Sequence, residues 1–155
     1  MTEKTTIASP IGNIHIIGGS KGITYINFTT ESISYYTPES LQNCVTQLQE
    51  YFAGQRKSFD IPLFLQGTPF QKTVWNVLQS IGYGEVTTYK QIAQKIFAPK
   101  AYRAVGNANN KNPILILIPC HRVIASNGSL CGYAAGNNRK KWLLDFEKNT
   151  TLNII

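Results

Sequence analysis

The segment of the chain most suited to chemistry is ILILIPCHRVI, at residues 114–124. Five aliphatic residues with a strong preference for β-structure lead into Pro119, Cys120 and His121. An apolar run of this length predicts a buried element, which would hold the Cys120 thiol beside an imidazole. Only the thiolate is nucleophilic, and a free thiol has a pKa near 8.5. An imidazole held by a carboxylate would therefore have to lower that pKa by roughly three units, or about 4 kcal/mol. The alternative is a core cysteine flanked by surface charges.

The other cysteines and the second histidine predict neither a disulfide framework nor a metal site. Three cysteines at scattered positions are an odd number, which argues against paired bridges. His15 and His121 are the two histidines, and the sequence has no CxxC motif, so a zinc signature is missing. Cys44 falls on the apolar face of a predicted helix and is expected in the core. Cys131 lies in a glycine-rich loop where its thiol could be exposed, without a basic neighbour.

Length and composition are typical of a globular protein with one core or two small modules. The chain has 155 residues, of which 43% are hydrophobic. No apolar stretch approaches the roughly 20 residues that span a bilayer, and the N-terminal segment MTEKTTIASP lacks the hydrophobic region of a signal peptide. We therefore expect a soluble, intracellular protein that does not bind membranes.

The positive charge of the chain is concentrated in its C-terminal part. The net charge is +7. From Thr68 onward, eleven basic and three acidic residues give +8, whereas four basic and five acidic residues before Thr68 give −1. This asymmetry indicates a polyanionic partner such as nucleic acid. The alternative is a soluble surface that happens to be basic.

The N-terminal part has the pattern of a small scaffold. Thr37 and Pro38 are predicted as the N-cap and first residue of a helix. Alternating apolar residues between Phe59 and Leu65 predict one more strand, and Gln66–Pro69 is the predicted domain boundary. Three further strands are predicted near the start of the chain, at residues 5–8, 13–17 and 23–28.

The basic part contains a predicted helix-turn-helix. Thr88 and Gln91 have the spacing of a capping box, and apolar residues at helical spacing predict helices at 89–96 and 101–108. Two short helices joined by a tight turn are typical of a DNA-binding helix-turn-helix. The second helix is rich in small residues and suits close approach to a backbone or shallow groove, with Arg103 as its one long central cation. The alternative is a helical hairpin with a solvated arginine.

Two segments after the cysteine complete the candidate site. Residues 126–136 form a loop of small residues that could rim a pocket, with Tyr133 as its only large flat side chain. A last helix is predicted from about Asn138. Glu147 follows Leu143 by one turn at the edge of the apolar stripe of this helix. Because a buried carboxylate needs a partner, we expect Glu147 to pair with His121.

Six elements of the sequence resemble the O6-alkylguanine-DNA alkyltransferase family, also called methylated-DNA–protein-cysteine methyltransferases. The resemblance covers roughly Thr68 to Glu147, and IPCHRV is its most specific motif; ASPIGNIHI near the N-terminus also fits the family. The six elements, in chain order, are TPFQKTVW at 68–75, IGYGEVTTY at 81–89, RAVGNANNKNP at 103–113, IPCHRV at 118–123, GYAAG at 132–136 and KWLLDFE at 141–147.

The resemblance implies an α+β fold. A small N-terminal α/β domain of the ribonuclease H-like type, at residues 1–67, would pack on a C-terminal helical domain, winged-helix-like and containing the helix-turn-helix, at residues 68–155. The implied activity is DNA repair by direct damage reversal, without a cofactor or metal. The implied partner is double-stranded DNA containing O6-alkylguanine, bound by a cytoplasmic monomer, or a nuclear one in a eukaryote.

The resemblance also implies residue roles. Cys120 would take the alkyl group from O6 of guanine, with O4-alkylthymine as a further candidate substrate. A thioether does not hydrolyse easily, so one turnover is expected. The implied catalytic group comprises Cys120, His121 acting through a water, Glu147 orienting the histidine, Tyr89 assisting the leaving guanine, and Asn112 as the hinge. The implied DNA contacts are Arg103 as an inserted finger, Tyr89, Lys90, Ser126, Ala101 and Ala104. The implied base pocket is formed by Val123, Tyr133 and Ala134 with the backbone of Cys120.

Two other functions use the same residues. One is a binding module that recognises alkylated DNA and recruits other repair factors without reacting. The other is a thiol hydrolase that uses Cys120, His121 and Glu147 on acyl substrates. The nucleophilic cysteine disfavours the first, and the second predicts sustained release of product from acyl substrates.

Overall fold

The structure, a computed structural model, describes residues 2–130 and 132–152. Cys131, whose thiol could be exposed according to the sequence, lies outside the described residues. The chain forms two compact units. The first contains the residues up to Gln66 together with Pro113–Leu115, and the second contains Gly67–Asn112 and the residues from Ile116 onward. The combination of a small sheet with a helical unit is the mixed α+β architecture that was predicted.

The first unit is built on a three-stranded antiparallel sheet in which β2 is central. Ile14 and Ile16 of β2 are fully buried on the face that the alternation predicts, and helix α1 packs against β1 and β2. The elements of this unit are β1 (Glu3–Ile7), β2 (Asn13–Gly19), β3 (Gly22–Thr29) and α1 (Glu39–Phe52).

Two sequence predictions in this unit are wrong. The N-cap of α1 is Pro38 and makes no side-chain capping bond, while the Thr37 hydroxyl lies 3.2 Å from that of Thr5. The strand predicted between Phe59 and Leu65 is reduced to one bridge between Leu63 and Ile23. Pro62 has no N–H to donate, so the pairing amounts to two backbone hydrogen bonds with Ile23, at 2.9 and 2.8 Å.

The described part of the second unit contains four α-helices, two of which start with the capping residues that the sequence rules favour. Complete capping boxes begin α2, at Thr68 and Gln71, and α3, at Thr88 and Gln91, so the predicted box is confirmed. Helices α3 and α4 pack together as the predicted helix-turn-helix. The elements are α2 (Pro69–Leu78), β4 (Thr87–Thr88), α3 (Tyr89–Lys95), α4 (Tyr102–Asn110), β5 (Val123–Ile124), which pairs in parallel with β4, and α5 (Asn137–Leu152).

The aliphatic run before Cys120 is buried as predicted but is not a strand. Residues 114–118 are all less than a tenth exposed. Ile116 has a φ of 74°, outside the extended region, so the run makes isolated bridges, one of them from Ile114 to Ile26, and no continuous strand. Cys120–Arg122 then forms one turn of 3₁₀ helix. In the part of the chain that the structure describes, no helix is both long and apolar enough to cross a bilayer.

Candidate active site

Cys120 is the first residue of the 3₁₀ turn and is 1% exposed. Two asparagines at the end of α4 hold the backbone around it. Asn112 donates from Nδ2 to the carbonyl of Ile118 at 2.7 Å, and Asn109 donates from Nδ2 to the carbonyl of Cys120 at 3.4 Å. The side chain of Asn112 also hydrogen-bonds the thiol. The helix-turn-helix is thus connected directly to the segment that carries the sulfur.

His121 and Glu147 form the pair that the sequence predicted. His121 Nε2 lies 2.7 Å from Glu147 Oε2, and both residues are almost completely buried. Arg122 donates two hydrogen bonds to the same carboxylate, from Nε to Oε1 at 2.8 Å and from Nη2 to Oε2 at 3.0 Å. The amide of Gly84 adds a longer bond to Oε1 at 3.3 Å. A bidentate arginine fixes both the charge and the orientation of a carboxylate, so Glu147 is a rigid anchor for the imidazole.

The charges in this cluster determine the tautomer of His121. Burial alone would raise the pKa of Glu147, but the hydrogen bond and charge of His121 and those of Arg122 hold it well below its usual range. The carboxylate is therefore ionised and can only accept hydrogen bonds. Burial lowers the pKa of His121 against the opposing effect of Glu147. A neutral His121 donates from Nε2 to Glu147 and leaves the lone pair on Nδ1. That atom is buried without a hydrogen-bond partner among the described residues.

The expected depression of the Cys120 pKa is wrong for the resting protein. Burial raises the pKa of this thiol to about 11, although the Asn112 hydrogen bond and the charge of Lys140 oppose the increase. The physical reason is that the thiolate would be fully desolvated. The same burial keeps His121 neutral, so the imidazole carries no positive charge that could stabilise the thiolate. The resting site therefore holds a protonated thiol beside a neutral imidazole.

Lys140 is a member of the site that the sequence reasoning missed. Its side chain is fully buried, and Nζ donates to the carbonyl of Val123 at 2.5 Å. A buried lysine is costly unless its charge has a purpose or a partner. The signal was present in the sequence, since Lys140, Leu143 and Glu147 follow one another at helical spacing on one face of α5.

The three residues expected to form a base pocket differ in exposure. Val123 and Tyr133 are buried, whereas Ala134 is exposed. The Tyr133 ring meets the His121 ring edge-on, with centroids 6.5 Å apart. Burial raises the pKa of Tyr133 well above its usual value, and its hydroxyl is buried without a hydrogen-bond partner among the described residues. Tyr133 thus stays neutral, with its ring against the imidazole of His121.

Tyr89 lies between α4 and the loop before α5. A β-carbon built on Gly106 would be 3.8 Å from the Tyr89 ring, and one built on Gly132 would be 3.3 Å from its hydroxyl. Gly132 has a φ of 86°, a conformation that favours glycine. The two glycines therefore allow Tyr89 to lie close to both neighbouring segments.

The residues expected to contact DNA lie mostly on the surface of the second unit. Lys90 Nζ and Arg103 Cζ lie 5.5 and 6.0 Å from the centroid of the Tyr102 ring. Ala101 is the N-cap of α4, Ala104 is exposed on its first turn, and Ser126 is exposed in a separate turn. Lys90 and Arg103 are therefore brought together through an aromatic ring that the sequence reasoning did not select, while Ser126 lies elsewhere along the unit.

Within residues 2–130 and 132–152, no group of three or more histidine, cysteine, aspartate and glutamate side chains is arranged to hold a metal ion. The buried polar cluster instead consists of one thiol, one imidazole, one carboxylate and two cations. Their arrangement can accept a proton from a nucleophile at His121 Nδ1 and stabilise the resulting charge through Glu147.

Comparison with known proteins places this geometry in a family. The family model of the 6-O-methylguanine DNA methyltransferase DNA-binding domain matches residues 69–149, and the family model of the 6-O-methylguanine DNA methyltransferase ribonuclease-like domain matches residues 3–65. A methylated-DNA–protein-cysteine methyltransferase of Methanosarcina acetivorans is 49% identical over 146 residues, covering 90% of this chain and 94% of the relative.

Solved structures agree with the sequence matches. The crystal structure of the Mycobacterium tuberculosis O6-methylguanine methyltransferase is 44% identical and has a TM-score of 0.87, covering 97% of this chain and 94% of that one. The M. tuberculosis OGT in complex with DNA is also 44% identical, with a TM-score of 0.86, covering 94% and 92%. These matches extend over both units and include the segment around Cys120, so the chain belongs to the methylated-DNA–protein-cysteine methyltransferase family.

Proposed function

We propose that this protein repairs DNA by transferring a methyl or other alkyl group from O6 of guanine in duplex DNA to the sulfur of Cys120. It acts once, as a monomer, in the cytoplasm or in whichever compartment holds the DNA. The observation that carries this proposal is a buried thiol at the start of a 3₁₀ turn whose next two residues, His121 and Arg122, bind Glu147 of α5. Two asparagines tie this turn to a basic helix-turn-helix. The names of the relatives support it.

The first step is removal of the thiol proton. We assign His121 Nδ1 as its acceptor, reached through one water, because Nε2 is engaged by Glu147. Burial raises the pKa of the thiol to about 11 and lowers the pKa of the imidazole, so this transfer is uphill in the resting site. The cost keeps the sulfur unreactive until a substrate is in place.

The second step exchanges one bond for another. The Cys120 sulfur forms a bond to the alkyl carbon as the carbon–O6 bond breaks, and the electron pair remains on the guanine. Tyr89 assists the departing base by supplying a proton, which the imidazolium of His121 ultimately replaces, so that the thiol proton ends on guanine. The product thioether has no acyl carbon for water to attack, and the protein is consumed.

Access to O6 requires the base to leave the duplex. Extruding a nucleotide costs a few kcal/mol, least for a damaged base. We propose that Arg103 enters the stack in its place. The small residues Ala101 and Ala104 allow α4 to approach the groove closely, while Lys90 and Ser126 contact phosphates. Val123, Tyr133 and Ala134 would receive the extruded guanine.

The decisive experiment is intact-protein mass spectrometry after incubation with duplex DNA carrying one O6-methylguanine. We expect one added methyl group per molecule, located on the peptide that contains Cys120, with restored guanine in the DNA. Cys120→Ala should bind the duplex and remain unmodified. Binding by the wild type without any methyl transfer would instead support a recruiting module, and sustained product release from acyl substrates would support a thiol hydrolase.

A further inference from the structure

Phe97 occupies a position at the end of α3 where glycine is the usual residue. The amide of Phe97 donates to the carbonyl of Gln94 at 3.1 Å, and the amide of Ala98 donates to the carbonyl of Ala93 at 2.9 Å. These two bonds define a Schellman motif in which the residue after the helix cap adopts the left-handed conformation. Phe97 has a φ of 60°, which is unfavourable for a bulky side chain.

The Phe97 side chain offers the fold no compensation for that strain. The residue is 94% exposed, so its side chain buries almost no apolar surface. Beside it, Ala98–Ala101 line a surface recess of about 460 Å³. A strained backbone that presents an exposed aromatic ring is stabilised only when something covers the ring.

The surroundings of Phe97 indicate the chemistry of the covering partner. Four basic residues belong to α3, the turn and the start of α4: Lys90, Lys95, Lys100 and Arg103. No aspartate or glutamate occurs between Glu85 and Asp145. Tyr102, 37% exposed, lies within 6.0 Å of both Lys90 and Arg103. Aromatic rings interleaved with cations are the pattern of surfaces that bind nucleic acid.

We propose that Phe97 is a DNA-contacting residue whose ring packs on the deoxyribose face of the duplex, while the lysines around it contact phosphates. The apolar ring matches the sugar, which is the uncharged part of a polyanionic backbone. This inference rests on the proposed function and adds an apolar contact, made by the turn between α3 and α4, to the polar contacts proposed above.

The test is equilibrium binding of the full chain to an undamaged duplex at two salt concentrations. Phe97→Gly should weaken binding about tenfold, by the same factor at both salt concentrations, because an apolar contact releases no counterions. The same variant should leave the thermal midpoint unchanged or raise it by up to about 4 °C. Phe97→Tyr keeps the ring and should bind like the wild type. Lys100→Ala is the matched ionic control, which should reduce the salt dependence by about one counterion.

A folded Phe97→Gly protein that binds duplex as tightly as the wild type would overturn the inference. So would tighter, Phe97-dependent binding to phosphatidylserine vesicles than to duplex, because the ring would then belong to a membrane contact. If the wild type transferred no methyl group at all, the proposed function would fail, while the binding comparison would still decide the role of Phe97.

Discussion

Cys44 and Cys120 are both free thiols and both 1% exposed, yet only one has the surroundings of a nucleophile. Cys44 lies on α1 in the first unit, and burial raises its pKa to about 12, with no opposing influence. Burial also raises the pKa of Cys120, to about 11, but there the Asn112 hydrogen bond and the Lys140 charge act in the opposite direction. Burial therefore does not distinguish a reactive cysteine from a core cysteine. The distinguishing feature is a set of polar groups that favours the anion.

The comparison also explains why a high resting pKa suits the proposed reaction. A thiolate of high pKa is intrinsically more nucleophilic than one of low pKa, so a desolvated sulfur is strongly reactive once its proton has gone. His121, held by Glu147, supplies the acceptor that Cys44 lacks among the described residues around it. The site thus combines a protected resting thiol with a route to a potent nucleophile.

Among the variants that should reduce the difference in reactivity between Cys120 and Cys44, Glu147→Gln is expected to have the largest effect. The variant removes the charge that stabilises an imidazolium at His121 and leaves Arg122 buried without its counter-charge. We expect the rate of methyl transfer to fall by about 10² to 10⁴ and the free energy of unfolding to fall by about 3 kcal/mol at neutral pH. Single-turnover kinetics and urea unfolding measure the two effects separately. Cys120 methylated at the wild-type rate in a folded variant would remove Glu147 from the mechanism.

The stability loss in Glu147→Gln should depend on pH with a defined sign. The folded-state pKa of Glu147 is depressed, so its contribution is fully present above the unfolded pKa of about 4.3 and is lost as the pH falls below that value. The gap between wild type and variant in urea unfolding should therefore narrow on acidification from pH 6 to about pH 3. A gap that widened over this range would show that the folded carboxylate is not the preferentially ionised form.

A smaller effect is expected from Lys140→Met, which removes the buried cation and keeps much of the side-chain volume. Without that charge the pKa of Cys120 should rise above about 11, and we expect methyl transfer at neutral pH to slow roughly tenfold. The rise of the rate with pH should also shift to higher pH. Lys141→Met is the matched control, since Lys141 is exposed and pairs with Asp145 one turn along α5. Equal pH–rate profiles for the two variants would contradict an electrostatic role for Lys140.

The features predicted correctly from the sequence follow from local spacing or from the cost of burying a charge. The capping box at Thr88 and Gln91 is formed by residues three positions apart, so it could be predicted without knowledge of the tertiary structure. The pairing of His121 with Glu147 was also predictable, because a carboxylate at the edge of an apolar helix face requires a partner. Both inferences needed only local spacing and the cost of burying charge.

The features that were missed depend on contacts between distant segments. The bridge at Leu63 depends on the backbone groups of β3 that are free to pair with it. The alternation of apolar residues between Phe59 and Leu65 cannot show that this pairing stops at Pro62. The raised pKa of Cys120 results from complete desolvation, which the charge of Lys140, 20 residues along the chain, offsets only in part. Sequence reasoning considered only the adjacent imidazole, and therefore predicted a shift in the wrong direction.

The smallest effect is expected from a substitution of Cys44, the core cysteine of the first unit. Cys44→Ala removes a buried sulfur that packs on the apolar face of α1, so we expect the free energy of unfolding to fall by about 1 kcal/mol while the rate of methyl transfer stays unchanged. Thermal unfolding and single-turnover kinetics with O6-methylguanine duplex measure the two quantities. A methyl group recovered on the Cys44 peptide, or a slower transfer in Cys44→Ala, would mean that burial without polar partners does not make a thiol inert, and the distinction between the two cysteines would fail.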